Sequence, residues 1–335
     1  NGAKALDKSV LKARTMNNMD SEDEGVATVS CAGGLRVQFT KEIKRTTVQG
    51  SLLTLKVEGL LGGHSGQDID KERQNADLLM ARMIQRLLKE TKGQLVSFNG
   101  GTKDNAIPRE CEASLIYESD EEAAKAEELA CELAETYAEE LTPAEPDFSC
   151  EISCETNRTA EAIPQDAAKE FICAMRLAPN GIQKRNIKMD GFVVVSLNLG
   201  VVRTEEDRIV MIFSPRSSVA SLQEDTKERL NTLAETFGFT VSHSSEYPGW
   251  SFKEDSPVRE ICKESYKELF GEDLKIEAIH AGLECGLFSD AIKGLDAIAI
   301  GPTIANCHTP DEYLTLDSFE RFYEFLKDIL SRLAK

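Results

Sequence analysis

Between residues 51 and 154 the apolar residues change from alternation to helical spacing and back in the order strand, helix, strand, strand, helix, strand. Leu52, Leu53, Leu55 and Val57 open the run as a strand over residues 51–60. Residues 73–90 then carry Leu79, Met83 and Leu87 on one stripe of an amphipathic helix. Residues 95–98 and 111–117 read as strands. Residues 121–141 form a helix with Leu129, Leu133, Tyr137 and Leu141 at i, i+4 spacing beside a row of alanines, and residues 148–154 alternate again. Six elements in this order are the pattern of a split βαβ, ferredoxin-like sandwich.

A second round follows, with a helix over 166–175, strands over 192–202 and 209–213, a helix over 222–237 and a strand over 240–243. It matches the first with the opening strand missing, so an internal duplication is expected. After Tyr247-Pro248-Gly249-Trp250 the texture changes. Ser256 and Pro257 make an N-cap and N1 pair for a helix striped by Val258, Ile261 and Leu269 that stops at Gly271. Strands over 274–279 and 295–300 give the βα alternation of an open α/β sheet. Asp317 with Glu320 predicts a capping-box start for a last helix whose Phe319, Phe322, Leu326, Ile329 and Leu333 cover a sheet face. Residues 3–14 also have helical composition. The expected fold class is α/β: an open α/β domain from residues 1–36 and 247–335, with a duplicated ferredoxin-like α+β domain, residues 37–246, inserted into it.

A length of 335 residues suits two domains, because single cores stop growing at roughly 250–300 residues. The net charge of -19 argues against nucleic acid and anionic membrane as partners, since both need a basic face. No apolar run approaches the roughly 20 residues of a membrane span, and no signal-peptide shape opens the chain. Nine cysteines, an odd number without a C-x-x-C pair, suit a reducing compartment, and a cytoplasmic location is expected. Asn1-Gly2-Ala3 reads as the inside of a fold, so an upstream part is expected to be missing from this sequence.

Ligand-type side chains crowd residues 279–312. His280, Glu284 and Cys285 precede the strand over 295–300, and Cys307 and His308 follow its Gly301-Pro302 end. A loop leaving a rigid strand can aim several side chains at one point. His308 is followed by Thr309-Pro310-Asp311-Glu312, acids close enough to orient its ring as metal histidines require. The competing readings are a polar surface histidine and a thiol with its base, either His280 with Cys285 or Cys307 with His308. The acidic run Asp20-Ser21-Glu22-Asp23-Glu24-Gly25 is either a solvated turn or a hard-ligand site, and it lacks EF-hand spacing. In Gly62-Gly63-His64-Ser65-Gly66 the glycines leave the imidazole unshielded. The alternative there is a flexible turn, and no Gly-Lys-Ser/Thr follows to make a P-loop.

Seven blocks, D-S-E-D-E-G, G-G-H-S-G-x-D-I, F-N-G-G-T-x-x-N-A-I-P-R-E, S-L-N-L-G-V-V, Y-P-G-W, H-A-G-L-E-C-G-L-F and I-G-P-T-I…H-T-P-D-E, resemble in order the cytosolic aminoacyl-histidine dipeptidases. These belong to the dinuclear-zinc metallopeptidases that also include carnosinases and aminoacylases. The resemblance implies hydrolysis of short dipeptides such as β-alanyl-histidine by a water held between two zinc ions, and a homodimer. Asp20 is similar to a carboxylate ligand of one zinc, and His308 to the terminal histidine on the other. His64 resembles the lid histidine that stabilises the tetrahedral oxyanion, and Asn105 and Arg216 the lid residues that hold the substrate's peptide end. His280, Gly282 and Glu284 are expected to line the pocket. The family's general base, its neighbouring glutamate ligand, the bridging aspartate and the H-x-D histidine would all precede Asn1, so this chain alone is expected to be inactive. Asp70 departs from the histidine usual after G-G-H-S-G-x-x-I. The alternative is a non-catalytic association or binding module that retains the lid fold.

Overall fold

The computed structural model describes residues 2–187, 191–307 and 309–334. They divide into one unit of Asn1–Gly34, Ser217–Ala220 and Tyr247–Lys335 and a second of Leu35–Arg216 and Ser221–Glu246.

The second unit is built on one sheet. Its strands lie in the order Thr240–Tyr247, Gly33–Glu42, Arg208–Ser217, Phe192–Thr204, Gln94–Gly100, Cys111–Tyr117, Thr46–Glu58 and Ser149–Ala162, and Gly181–Asn186 pairs beside Phe192–Thr204. The last four of that order make one ferredoxin-like half with the helices Ala76–Glu90 and Asp120–Leu141. The first four make the other half with the helices Gln165–Leu177 and Ala220–Thr236. The opening strand that the second round lacks in sequence is therefore Gly33–Glu42, which the chain forms before the first round begins. Its Leu35, Val37 and Phe39 alternate inward, but the first round separates them from the elements they join.

Register explains the core. Leu53, Leu55 and Val57 stand opposite Leu115, Ala113 and Cys111, so all six point to one face, where all are buried. Leu79, Met83 and Leu87 cover that face from the Ala76–Glu90 helix. The Asp120–Leu141 helix behaves differently from its leucine periodicity: Ala123, Ala126, Ala130 and Tyr137 are its buried residues, and Leu129, Leu133 and Leu141 are only partly buried. Small side chains let that helix lie close to the sheet.

The first unit holds a four-stranded sheet in the order Thr15–Asn18, Asp296–Ala299, Val26–Cys31 and Lys275–Ile279. The Pro257–Phe270 helix starts at Ser256, whose side chain accepts the Arg259 N–H, and stops at Gly271 with φ of 75°. Two expectations are corrected in this unit. Residues 3–14 form only the short helix Gly2–Ala5 and a 3-10 turn, Lys8–Val10, because the Asp7 carboxylate takes the Ser9 N–H and competes with a continuous helix. The last helix, Leu316–Leu333, begins after Thr315, so Asp317 lies in its first turn rather than at its cap. That helix buries Phe322, Phe325 and Ile329 while Phe319 and Leu333 stay exposed. Among the described residues no helix is long and apolar enough to cross a membrane.

Candidate active site

In the second unit the glycine-flanked histidine is held by its own loop. Gly63–His64 pairs antiparallel with Ala106–Ile107, and the Ser65 N–H donates to the Asn105 carbonyl at 2.9 Å. The His64 N–H donates to the Asp68 carboxylate at 2.8 Å, which fixes the backbone. Its ring Nδ1 accepts the N–H groups of Gly66 at 3.2 Å and Gln67 at 3.0 Å. An Nδ1 that accepts leaves the ring proton on Nε2, where it can be donated. Burial, then the nearby Arg216 charge, hold the His64 pKa below the ordinary imidazole range. His64 is therefore a neutral donor at neutral pH. Arg216 is buried at the end of its strand, and Asn105 is exposed beside the paired segment. The three predicted lid residues thus gather around one loop system.

Glu145 completes this arrangement, and sequence reasoning missed it. Its buried carboxylate accepts the Leu61 N–H at 2.7 Å and the Gln74 N–H at 2.9 Å, and so ties together the two ends of the segment that carries His64. The available signal was a lone glutamate between Pro143 and Pro146. Asp70 is exposed on the turn Ile69–Lys71.

In the first unit the acidic run lies along the segment that leads to residue 308. The Asn18 carbonyl accepts the Ile300 N–H, and the Glu22 carbonyl accepts the Ile304 N–H, each at 2.9 Å. The Glu22 carboxylate takes the Cys307 thiol. Asp20 is exposed, and its N–H donates to the Asn18 side-chain oxygen at 2.7 Å. Asn18 also bonds the Cys285 thiol, which places the start of the Glu284–Ala291 helix beside the Asp20 turn. Glu284 and Gly282 are exposed, and a side chain on Gly282 would begin 2.7 Å from the Tyr247 ring. His280 is buried just after the strand Lys275–Ile279. His308 lies outside the described residues.

Residues 101–332 match the profile of peptidase family M20/M25/M40, and residues 55–145 match a peptidase dimerisation domain. Over 338 residues, 99% of this chain and 68% of the relative, the sequence is 32% identical to the cytosol non-specific dipeptidase of Escherichia coli (strain K12). The chain belongs to peptidase family M20/M25/M40. The crystal structure of the aminoacylhistidine dipeptidase from Vibrio alginolyticus matches it with a TM-score of 0.94 at 33% identity, over 98% of this chain and 67% of that chain.

Membership makes this M20 chain a hydrolase of the metallopeptidase kind and implies use of a divalent metal. Among the described residues no three His, Cys, Asp or Glu side chains gather to hold an ion, so those residues alone do not fit a metal centre. The alternative of a thiol nucleophile gains no support from the thiols themselves. Burial pushes the Cys285 thiol up to about 12, and desolvation, then the Glu22 bond, hold the Cys307 thiol above its ordinary value. Neither is the thiolate such a mechanism needs.

Proposed function

We propose that this M20 family member hydrolyses short dipeptides of the Xaa-His type, including β-alanyl-histidine, in the cytoplasm. In this reading residues 37–246 are the lid, and residues 1–36 and 247–335 belong to the catalytic domain. The observation that carries it is the His64 ring, whose Nδ1 is occupied by two backbone N–H groups so that Nε2 is the donor. A neutral imidazole aimed by its own loop can stabilise the oxyanion that develops as the peptide carbonyl becomes tetrahedral, and it needs no reorganisation at that moment. Arg216 offers a planar fork for the substrate's carboxylate, and its charge adds to burial in keeping His64 neutral. Asn105 supplies an amide to the peptide end. His280, Gly282 and Glu284 would line the pocket, and with zinc bound Asp20 would supply a ligand to one ion and His308 to the other. The match to a dimerisation domain over residues 55–145 supports a homodimer through the lid.

The test is hydrolysis of β-alanyl-histidine with zinc supplied. It is run on the 335-residue chain and on an E. coli dipeptidase whose matching span is replaced by this sequence. The reading expects turnover in the chimera that falls about 10²–10³-fold on His64→Ala, the cost of losing one oxyanion donor. A folded, zinc-loaded chimera without turnover would favour the binding-module alternative.

A further inference from the structure

The Ala76–Glu90 helix places Asp77 wholly inside the second unit, with neither carboxyl oxygen hydrogen-bonded in ordinary geometry. It fills the space above Gly100 on the strand Gln94–Gly100: a Cβ there would lie 1.7 Å from Asp77 Oδ1 and 2.9 Å from Cys111 Sγ. Gly100 therefore has to be glycine for the carboxyl to fit. The Cys111 thiol faces the same space as a weak donor, the charge of the exposed Glu112 acts on that thiol, and Arg203 approaches from the strand Phe192–Thr204. Arg203 already has a task. Its Nη1 donates to the Gly100 and Val202 carbonyls at 2.6 Å, and its Nη2 donates to the Gly101 carbonyl. Gly100 and Gly101 begin the loop that ends at Asn105, whose carbonyl holds Ser65 next to His64.

We propose that Asp77, while it carries its proton, leaves Arg203 free to clamp the Gly100–Gly101 carbonyls, and that loss of this proton draws the guanidinium away and releases the loop bearing Asn105. Asp77 is thus a positioning residue with a built-in alkaline limit. As a substrate-positioning role this rests on the reading of Asn105 given above. The physical basis is the cost of a buried, unpartnered carboxylate: the neutral acid is tolerated there, and the anion must find the nearest cation. Burial pushes the Asp77 carboxyl up to about 8, against the partial opposition of Cys111 and Arg203. The sign follows. With a folded pKa above the unfolded one, the stability Asp77 contributes is complete below the ordinary carboxyl range, and is lost as pH rises through that range to about 8. Above about 8 the folded protein itself holds the anion.

The experiment compares wild type with Asp77→Asn, which mimics the protonated acid in shape and charge. Thermal unfolding is followed from pH 4 to 9, and amide exchange of residues 101–106, corrected for intrinsic rates, from pH 6.5 to 9.5. Relative to Asp77→Asn, the wild-type unfolding temperature should fall between pH 4 and 8, and protection of the loop should drop by up to about tenfold for each pH unit on the approach to about 8 and level off above it. Asp77→Asn should keep the loop protected throughout and show only the pH dependence that the other titrating groups supply. The carboxyl carbon shift of Asp77 in wild type, followed by NMR, reports the proton directly should the variant fold poorly. Equal pH dependence in both proteins, or a carboxyl titrating in the ordinary acid range, would overturn the proposal. These readouts need neither metal nor substrate, so they fail separately from the hydrolysis assay.

Discussion

The carbonyl oxygen of Ser21 occupies the space where a side chain on Gly301 would begin: a Cβ there would stand 1.8 Å from it. The acidic turn and the strand end that leads to His308 are therefore in backbone contact, with no room for adjustment. Gly301→Ala should push the turn that carries Asp20 away, at an overpacking cost of about 1–3 kcal/mol. Urea unfolding measures this, and an unchanged midpoint would show that the turn yields freely.

Glu145 holds both ends of the His64 segment through its two carboxylate oxygens. Removing them with Glu145→Ala leaves two part-buried backbone N–H groups without their acceptors, a loss of roughly 1 kcal/mol for each hydrogen bond. Glu145→Gln keeps one acceptor and should fall between the two. If both variants unfold like wild type, the latch is not what holds the segment.

His64 titrates below the ordinary imidazole range because of burial first and the Arg216 charge second. Its share of stability is present above the unfolded value and is lost as pH falls through the lower folded value. Arg216→Gln removes the nearby cation and should move the His64 titration upward, which NMR of the ring protons can follow with His64→Ala as the assignment control. A titration that stays put would separate the two residues electrostatically.

Glu24 is gripped by Arg321, which donates to both of its carboxylate oxygens. This bond is the main cause that holds the Glu24 carboxyl below its ordinary range. The stability it supplies is present above that range and disappears as pH falls through the depressed value. Glu24→Gln should therefore lower the unfolding temperature at pH 7 and lower it by less at pH 3. An equal deficit at both pH values would mean that packing, not charge, is what the substitution removes.

How much of this was legible depends on the range of each signal. The strand Cys111–Tyr117 and the helix Pro257–Phe270 follow from alternation, a serine cap and a terminal glycine, all within a few residues of one another. The turn that carries His64 was also legible, because glycines on both sides are a local feature. The strand Gly33–Glu42 as the start of the second round, the Glu145 latch and the Asn18 link between Asp20 and Cys285 were not. Each joins segments far apart in the chain, and no periodicity records a contact at that distance.

By itself, the sequence determined the alternation of elements, the two ferredoxin-like rounds, the acidic balance and the motifs that mark the M20 family, because propensity, patterning and turn chemistry act over short spans. Only the tertiary structure decided which nitrogen of His64 carries the proton, which glutamate ties its loop, and which glycines must stay bare beneath Ser21 and Asp77. Those outcomes depend on burial and on hydrogen-bond geometry, which exist only once distant strands have been brought together.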